Sequence, residues 1–584
     1  MLGFYICFYE KTRLAAKIIK TSYDNYNKHE LPKENSLVIF DDSNMSQLIK
    51  LNNECYYLLG TMIYNNRCGI DALKLVINSM HEEKKLEDIA KMTRGQFCLI
   101  IKRKNKIYIV TDRIASFPIY RIENNKCIQI TNILPLLLKK NNISFNRQGI
   151  VEYLSFNYTL SSTLFNEIDV LEMSKIYCYG FHKSDINYDY PFKNISYEKY
   201  KNLDEASNLI EEKLKRNISF LSEKNRIFID LTGGFDGRLI CLLLKEKNLK
   251  FSAGICGEQI SNEKLIADQV ANLINIEFHK EYRINNIEEF YKTILLHKKI
   301  SSGVPIMFHS TELINYYNRI KENHNIHITG FGGSQILSQW IKNLGILSKR
   351  CNEEALIDKL FPYLDIFRNQ YITNKTYKKN LKEKIRKLLN EIDSNIFTNI
   401  SSYLAIFTFT KWYHGLLINN HNCIIPFYSP YLEHEIIRLL IETSFKLKYN
   451  HKIQKKMITK MNIDVSRILT SHGYNANIDT VDANKLINLK IRDFARRIIY
   501  QYKPVREVYV KKKYKRDINR IAELDRKYWV EEINRLYSDK MDILQILDID
   551  KKNRKVKEGM FGNKLKAKII YLNDMLEKYN VKIT

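Results

Sequence analysis

The chain has 584 residues, 45% hydrophobic and 12% aromatic, too long for one ordinary core and apolar enough for two or three well-packed units. Its 93 Lys and Arg against 65 Asp and Glu give a net charge of +28, which would suit a phosphate-bearing partner. The excess lies in a chain rich throughout in Lys, Asn, Ile and Tyr, so no dedicated nucleic-acid face is expected; no apolar run reaches the ~18 residues of a bilayer span, and no membrane partner is expected either.

The N-terminal "MLGFYICFYEKTR" lacks the basic start of a signal peptide and reads as a first β-strand. Up to residue 185, "SLVIFDD", "ECYYLLGTMIY", "GQFCLIIKRKNKIYIVTD" and "KIYCYGF" read as short strands, the third as a hairpin around "KRKNK". A helix over Cys68 to Met80 interrupts them, giving α+β with antiparallel sheet. From about 200 the pattern changes to helix ("LDEASNLIEEKLKRNISFL"), strand ("NRIFIDL"), helix, strand ("FSAGI"), helix ("SNEKLIADQVANLI"), strand ("IEFHKEY"), two helices and "NIHITG". Such alternation predicts a parallel, helix-covered sheet. Beyond about 345 the chain reads as helical, ending in a Lys- and Arg-dense stretch over 485–584. The ten cysteines never form a C-x-x-C pair and read as reduced thiols of a cytoplasmic protein.

Within "FIDLTGGFDGRLI", Phe228 to Ile240, a glycine pair follows an apolar strand and precedes a helix. In open α/β sheets ligands bind beyond the carboxyl ends of the strands. Gly233 and Gly234 would let backbone N–H groups face an anion at a helix N-terminus, and Asp236 would serve as a Mg²⁺ ligand beside phosphates. Taken alone, the segment serves equally as a plain glycine turn. It is neither a Walker A sequence nor a G-x-G-x-x-G fingerprint.

"TGGFDG" resembles the S-G-G-x-D-S loop of ATP pyrophosphatase enzymes: Thr232 keeps the hydroxyl and Asp236 the acid, while Gly237 stands where the last serine would be. Gly95 to Arg121 resembles a segment of class II glutamine amidotransferase domains, with Asp112, Arg113, Pro118 and Tyr120 in matching places. The two in this order are similar to the asparagine synthetase B-like family, which includes β-lactam synthetases and lasso-peptide cyclases. "FSAGICGEQISNEKLIADQVANLINIEFHK", with Gly254, resembles its adenine-side strand and helix; "ITGFGGSQIL", with Gly330, Gly332, Gly333 and Ser334, resembles its second glycine loop. "SPYLEHEIIRLL" resembles P-F-L-D-x-x-L-V-E-F, and "KKMITK" resembles the segment carrying the catalytic lysine, Lys455 with Lys456 as its rival.

The resemblance, over about residues 1–475, implies an α+β Ntn amidotransferase-like sandwich at 1–185 and an α/β adenine nucleotide alpha hydrolase-like ATP pyrophosphatase domain at 200–480. The basic helical extension at 485–584 lies outside it. The implied activity is an ATP- and Mg²⁺-dependent ligase that adenylates a carboxylate, of a peptide or small metabolite, and couples it to an amine or ammonia. Asp236 and Lys455 would be catalytic, and natural-product maturation, including macrolactam closure with a precursor-peptide partner, is preferred to making free asparagine. A homodimer is compatible with this reading.

Departures qualify it. Leu2, followed by Gly3, occupies the place of the glutaminase nucleophile, and Cys7 has its α-amine in a peptide bond, so no glutaminase is expected. Phe331 replaces the Glu or Tyr of relatives, Ser334 a metal-binding acid and Gln335 a second acid. The alternative is therefore a degenerate member that binds nucleotide or a partner without catalysis. An RNA-modifying pyrophosphatase would use the same loop, but the amidotransferase-like segment argues against it. Arg238 reads either as a loop residue or as an exposed helix arginine, His279 and His472 as structural, and Tyr500 to Arg516 as a solvated face.

Overall fold

In the run Glu54–Tyr64 successive side chains enter different cores: Cys55, Tyr57, Leu59 and Ile63 face one, Tyr56, Leu58, Met62 and Tyr64 the other. A pleated strand buried on both faces requires this period of two. The computed structural model describes residues 2–8, 27–30, 36–40, 45, 47–124, 127–139, 142–156, 158–160, 162–180, 183–257, 262–282, 287–301, 308–334, 375–390, 411–471, 473–477, 533–538, 541, 543–544 and 560–583. Gln335, His472 and Tyr500 to Arg516 lie outside the described residues.

The first half holds β1 (Gly3–Phe8), β2 (Asn27–Glu30), β3 (Ser36–Phe40), β4 (Leu48–Leu51), β5 (Glu54–Tyr64), β6 (Arg67–Cys68), β7 (Arg94–Arg103), β8 (Lys106–Thr111), β9 (Tyr120–Glu123), β10 (Ile128–Thr131), β11 (Ser144–Phe145), β12 (Ile168–Val170), β13 (Lys175–Tyr179) and β14 (Ser184–Asn187). One antiparallel sheet runs β12-β9-β10-β1-β3-β2, the other β14-β13-β8-β7-β5-β4 with β6 on β5. The expected hairpin is β7–β8, closed at Arg103↔Lys106 with Lys104 at φ 53°. Phe4, Ile6, Leu37 and Ile39 of the first sheet share a continuous core with Tyr57, Leu59, Ile100 and Ile109 of the second. Behind the second sheet lies the helix Gly69–His81, which buries Ala72, Leu73 and Val76. Behind the first lie Ile150 and Leu154 together with Leu565, Ile569 and Leu572 of the helix Met560–Tyr579. The last strand, β20 (Lys582–Ile583), pairs in parallel with β11. The end of the basic stretch is thus an outer layer of the first half.

The second sheet system is built as the alternation predicts. β15 (Ile227–Asp230), β16 (Phe251–Gly257), β17 (Glu277–Tyr282), β18 (Ile326–Ile328) and β19 (Phe427–Tyr428) form one sheet in the order β17-β16-β15-β18-β19, every pairing parallel. Strand order reverses direction between β15 and β18, which makes their carboxyl ends a topological switch point, where open α/β sheets bind ligands.

The two halves meet over buried polar contacts. Ser429 N–H donates to Gln96 Oε1 at 2.7 Å, Asn419 Nδ2 to the Asn132 carbonyl at 2.7 Å, and Leu2 N–H to the Cys423 carbonyl at 2.8 Å. Glu433 lies in the same seam, buried, its Oε1 accepting from the Tyr428 hydroxyl at 3.0 Å. Burial pushes its carboxyl up to about 7. Between the unfolded value and about 7 the native state therefore holds a proton that the unfolded chain has released, and stability falls as pH rises through this window. Glu433→Gln, which keeps the acceptor and removes the charge, should gain on the wild type between pH 5 and pH 8 in urea unfolding; a pH-independent difference would refute this.

Candidate functional site

The turn after β15 begins with Leu231, whose N–H donates to the Gly254 carbonyl of β16 at 2.9 Å and so fixes where the chain leaves the sheet. Thr232 is exposed, Gly233 buried, and Gly234 is the N-cap of the helix Phe235–Glu246, with its N–H on Thr232 Oγ1 at 3.3 Å. The expected strand, glycine turn and helix N-terminus are all present, and the helix starts two residues before Gly237. A Cβ on Gly237 would lie 2.5 Å from the Asp230 carbonyl, so the glycine allows the helix to sit down on the strand end. A serine there would meet the same obstacle.

The turn after β18, Thr329 to Ser334, closes over the first. Cβ atoms built on Gly330 and Gly333 would each come within 2.7 Å of Asp236 or the Gly237 nitrogen, and Gly332 has φ +90°. Ser334 donates to Asp236 Oδ2 twice, through N–H at 2.9 Å and Oγ at 2.5 Å, and Gln454 Nε2 donates to Asp236 Oδ1. Ser334, read from the sequence as a weak substitute for a metal-binding acid, here caps the carboxylate of the other loop. Burial raises the Asp236 pKa while these donors pull it back down. Phe331 packs on His414, with centroids 4.0 Å apart, and its carbonyl accepts from Ser429 Oγ at 2.5 Å.

Arg238 corrects an expectation, because it is 0% exposed and not a surface residue of its helix. The only hydrogen bonds described for its guanidinium run to the carbonyls of Val465 (3.3 Å), Ile468 (2.8 Å) and Leu469 (3.3 Å), and it lies over the Phe235 ring at 5.4 Å. Its Nε has no partner among the described residues, and burial lowers its pKa to about 10. Arg238 thereby pins the segment 465–471 beside the first loop, where Ser471 Cβ would lie 3.2 Å from a Cβ on Gly233.

The two candidate lysines on the helix Lys452–Met461 separate. Lys456 pairs with Asp204, on the helix Leu203–Asn217. Lys455 lies 5.2 Å from the Tyr474 ring centroid, and Tyr474 in turn packs on Phe235 at 5.7 Å, so Lys455 is on the loop side. Gly254 is further from expectation: Tyr316 Oη and Phe228 Cζ would lie 2.2 and 2.7 Å from its Cβ, so the protein's own aromatic rings fill that space. His279 stands on β17 beside Glu277 at 3.4 Å, a surface pair. Sequence reading missed Gln454 and Ser471, neither of which belongs to a motif.

In the first half, Asp112 accepts from Ser116 Oγ at 2.6 Å and from the N–H groups of Phe97, Ile114 and Ser116, tying the turn after β8 to β7. Burial raises its pKa to about 6. Arg113 reaches Asp189 and, across the seam, His434 Nε2 at 3.3 Å. These motif residues brace the fold, as does Tyr120 in the core behind the first sheet. Leu2 is 3% exposed, an apolar side chain in the core.

Among the described residues no group of three or more His, Cys, Asp or Glu is placed to hold a metal, and no helix is long and apolar enough to cross a membrane. At the first loop stand Asp236, already hydrogen-bonded on both oxygens, and the exposed Glu263, whose Oε1 accepts from Ser471 Oγ at 3.3 Å. A Mg²⁺ ion would fit there only with most of its oxygens brought by phosphate and water, the usual state of that ion.

No family model and no curated protein matches the chain. Among solved structures it is similar to an NMN synthetase from Francisella tularensis (15% identity, 28% of this chain and 72% of that one, TM-score 0.18). It is also similar to an NH3-dependent NAD synthetase from Campylobacter jejuni (16% identity, 36% and 96%, TM-score 0.19). A third is a glutamine phosphoribosylpyrophosphate amidotransferase from B. subtilis (8% identity, 48% and 59%, TM-score 0.18). The chain spans 64% of a further match, an allosteric regulatory enzyme of purine biosynthesis, and 59% of the B. subtilis enzyme, under two thirds of either.

Proposed function

We propose that this protein is an ATP-dependent, AMP-forming ligase that activates a carboxylate and joins it to an amine, binding the nucleotide's phosphates between the loops that follow β15 and β18. The observation that carries the reading is their place: two glycine loops leave the two strands flanking the switch point of an all-parallel sheet. Charge agrees with it. Lys455 and a helix N-terminus lie beside the first loop, Asp236 there is already supplied with donors on both oxygens, and the other carboxylate at the loop, Glu263, is exposed to solvent, so the buried part of the loop suits an anion better than a bare cation.

In this reading Gly233 and Gly234 present backbone N–H groups to phosphate oxygens, Asp236 supplies the protein's oxygen to Mg²⁺, and Lys455 stabilises charge on the departing pyrophosphate. ATP supplies the leaving group that makes the acyl carbon open to attack by an amine or ammonia. The acyl donor would be a peptide or small metabolite, with maturation of a peptide or natural product, including macrolactam closure, as the setting. A precursor peptide would be the protein partner.

A second reading, nucleotide or partner binding without turnover, is favoured by the hydrogen bonds that occupy both oxygens of Asp236 and by the lack, among the described residues, of a group of three or more His, Cys, Asp or Glu placed to hold a metal. Calorimetric titration with ATP and a non-hydrolysable analogue, with and without Mg²⁺, tests both. The ligase reading expects Mg²⁺-dependent binding, about tenfold weaker in Asp236→Ala, and AMP formation when acyl and amine substrates are added. Binding without AMP would leave the second reading, and no binding would remove the nucleotide from both.

A further inference from the structure

Behind Asp236 lies a chain of buried polar groups that the nucleotide reading does not use. Gln454 is 0% exposed; its Nε2 donates to Asp236 Oδ1 and its Oε1 is 2.8 Å from His451 Nδ1. His451 Nε2 lies 3.3 Å from the Tyr474 hydroxyl. An ionised carboxylate only accepts, so the Gln454 amide must turn its NH₂ toward Asp236 and its oxygen toward His451. The imidazole must then carry a proton on Nδ1, which leaves Nε2 of the neutral ring to accept from Tyr474. Every direction in the relay follows from the charge at its end.

The backbone at the relay gives an independent observation. Asn450 and His451 both have φ 58°, two consecutive non-glycine residues in the left-handed region, with His451 at the start of the helix that carries Gln454. Such residues are costly outside glycine and persist where the surroundings hold them. Here His451 and Tyr474 each pack against Phe235, at 5.6 and 5.7 Å.

We propose that Gln454 is a positioning residue, oriented by His451, that holds the Asp236 carboxylate against Ser334 and so keeps the two glycine loops closed on each other. The ligand these closed loops receive rests on the nucleotide reading above; the relay itself does not. With Asp236 held from one side by Ser334 and from the other by Gln454, the carboxylate cannot swing out of the seam between the loops. Lys455, next in sequence to Gln454, is carried by the same helical turn.

The test uses the full chain with ¹⁵N-labelled histidine, the His451 signals being assigned by their disappearance in His451→Gln, and pairs the imidazole spectrum with ATP·Mg²⁺ calorimetry. The wild type should show His451 protonated at Nδ1 and not at Nε2. Gln454→Leu should lose that pattern and bind ATP about tenfold more weakly. Gln454→Glu, which keeps an acceptor for His451 but faces Asp236 with a second carboxylate, should keep the Nδ1 proton while loosening ATP by a similar factor. An Nε2-protonated His451 in the wild type would overturn the relay whatever Gln454→Leu and Gln454→Glu show. A lost histidine pattern with unchanged ATP affinity would overturn the positioning role. A wild type that binds no ATP would end the nucleotide reading, and the histidine spectrum would still decide the relay.

Discussion

Gly234→Ala is expected to leave the protein folded and to weaken its hold on ATP at least tenfold. Among the described residues a Cβ here meets only Thr232 Oγ1, at an ordinary 3.5 Å, and φ is −86°, open to any residue. The fold should lose no more than about 1 kcal/mol, the difference between a glycine and an alanine N-cap. If the loop were only a turn, that would be the whole effect. If its backbone receives phosphate, the added methyl stands where the anion must approach, and a tenfold loss corresponds to about 1.4 kcal/mol of binding.

Gly330→Ala is the mirror case. Its Cβ would lie 2.7 Å from both the Asp236 carbonyl carbon and the Gly237 nitrogen, backbone atoms that cannot rotate away. The loops must part, with about 1–3 kcal/mol of stability lost and ATP binding abolished together. Thermal melts and calorimetry on the two variants separate the cases; equal, small effects on binding would place the ligand elsewhere.

Lys384→Met should destabilise the first half by about 3–5 kcal/mol, because it strands a buried charge. Glu152 is 0% exposed, and Lys384 Nζ reaches both of its oxygens at 2.9 Å from the helix Lys375–Asn390, while Leu160 N–H adds a third hydrogen bond at 2.8 Å. Replacing both partners, Glu152→Gln with Lys384→Met, should recover much of the loss, since no ion then remains without its counter-ion. Denaturant unfolding of the two variants decides. A single substitution costing less than about 1 kcal/mol would mean that the pair is no stronger than a surface one.

The parallel sheet was legible because each apolar run from "NRIFIDL" to "NIHITG" is separated from the next by helical spacing, and a strand–helix–strand order leaves little choice of topology. The glycine loops were legible for a related reason: a glycine pair straight after such a run marks a backbone that must turn closely. What those glycines approach was not. Gly330 and Gly333 clear Asp236, and Gly254 clears Tyr316 and Phe228, contacts between segments far apart in the chain that no local pattern encodes. Arg238 misled for the same reason, since its three carbonyl partners belong to residues more than two hundred positions away. Gln454 gave almost no signal, because a buried amide has no periodicity of its own.

The helix Met560–Tyr579 and β20 have a bearing on how the molecule is made. They cover the outer face of the first sheet, and β20 pairs with β11, Lys582 with Ser144, which leaves the ribosome 438 positions earlier. At roughly 5–20 residues per second, that is a wait of about 20–90 s during which a nascent chain holds an apolar face with part of its cover unsynthesised. The earliest-made half is thus among the last to be finished, and a chaperone occupying that face during translation would have to leave before residues 560–583 could dock.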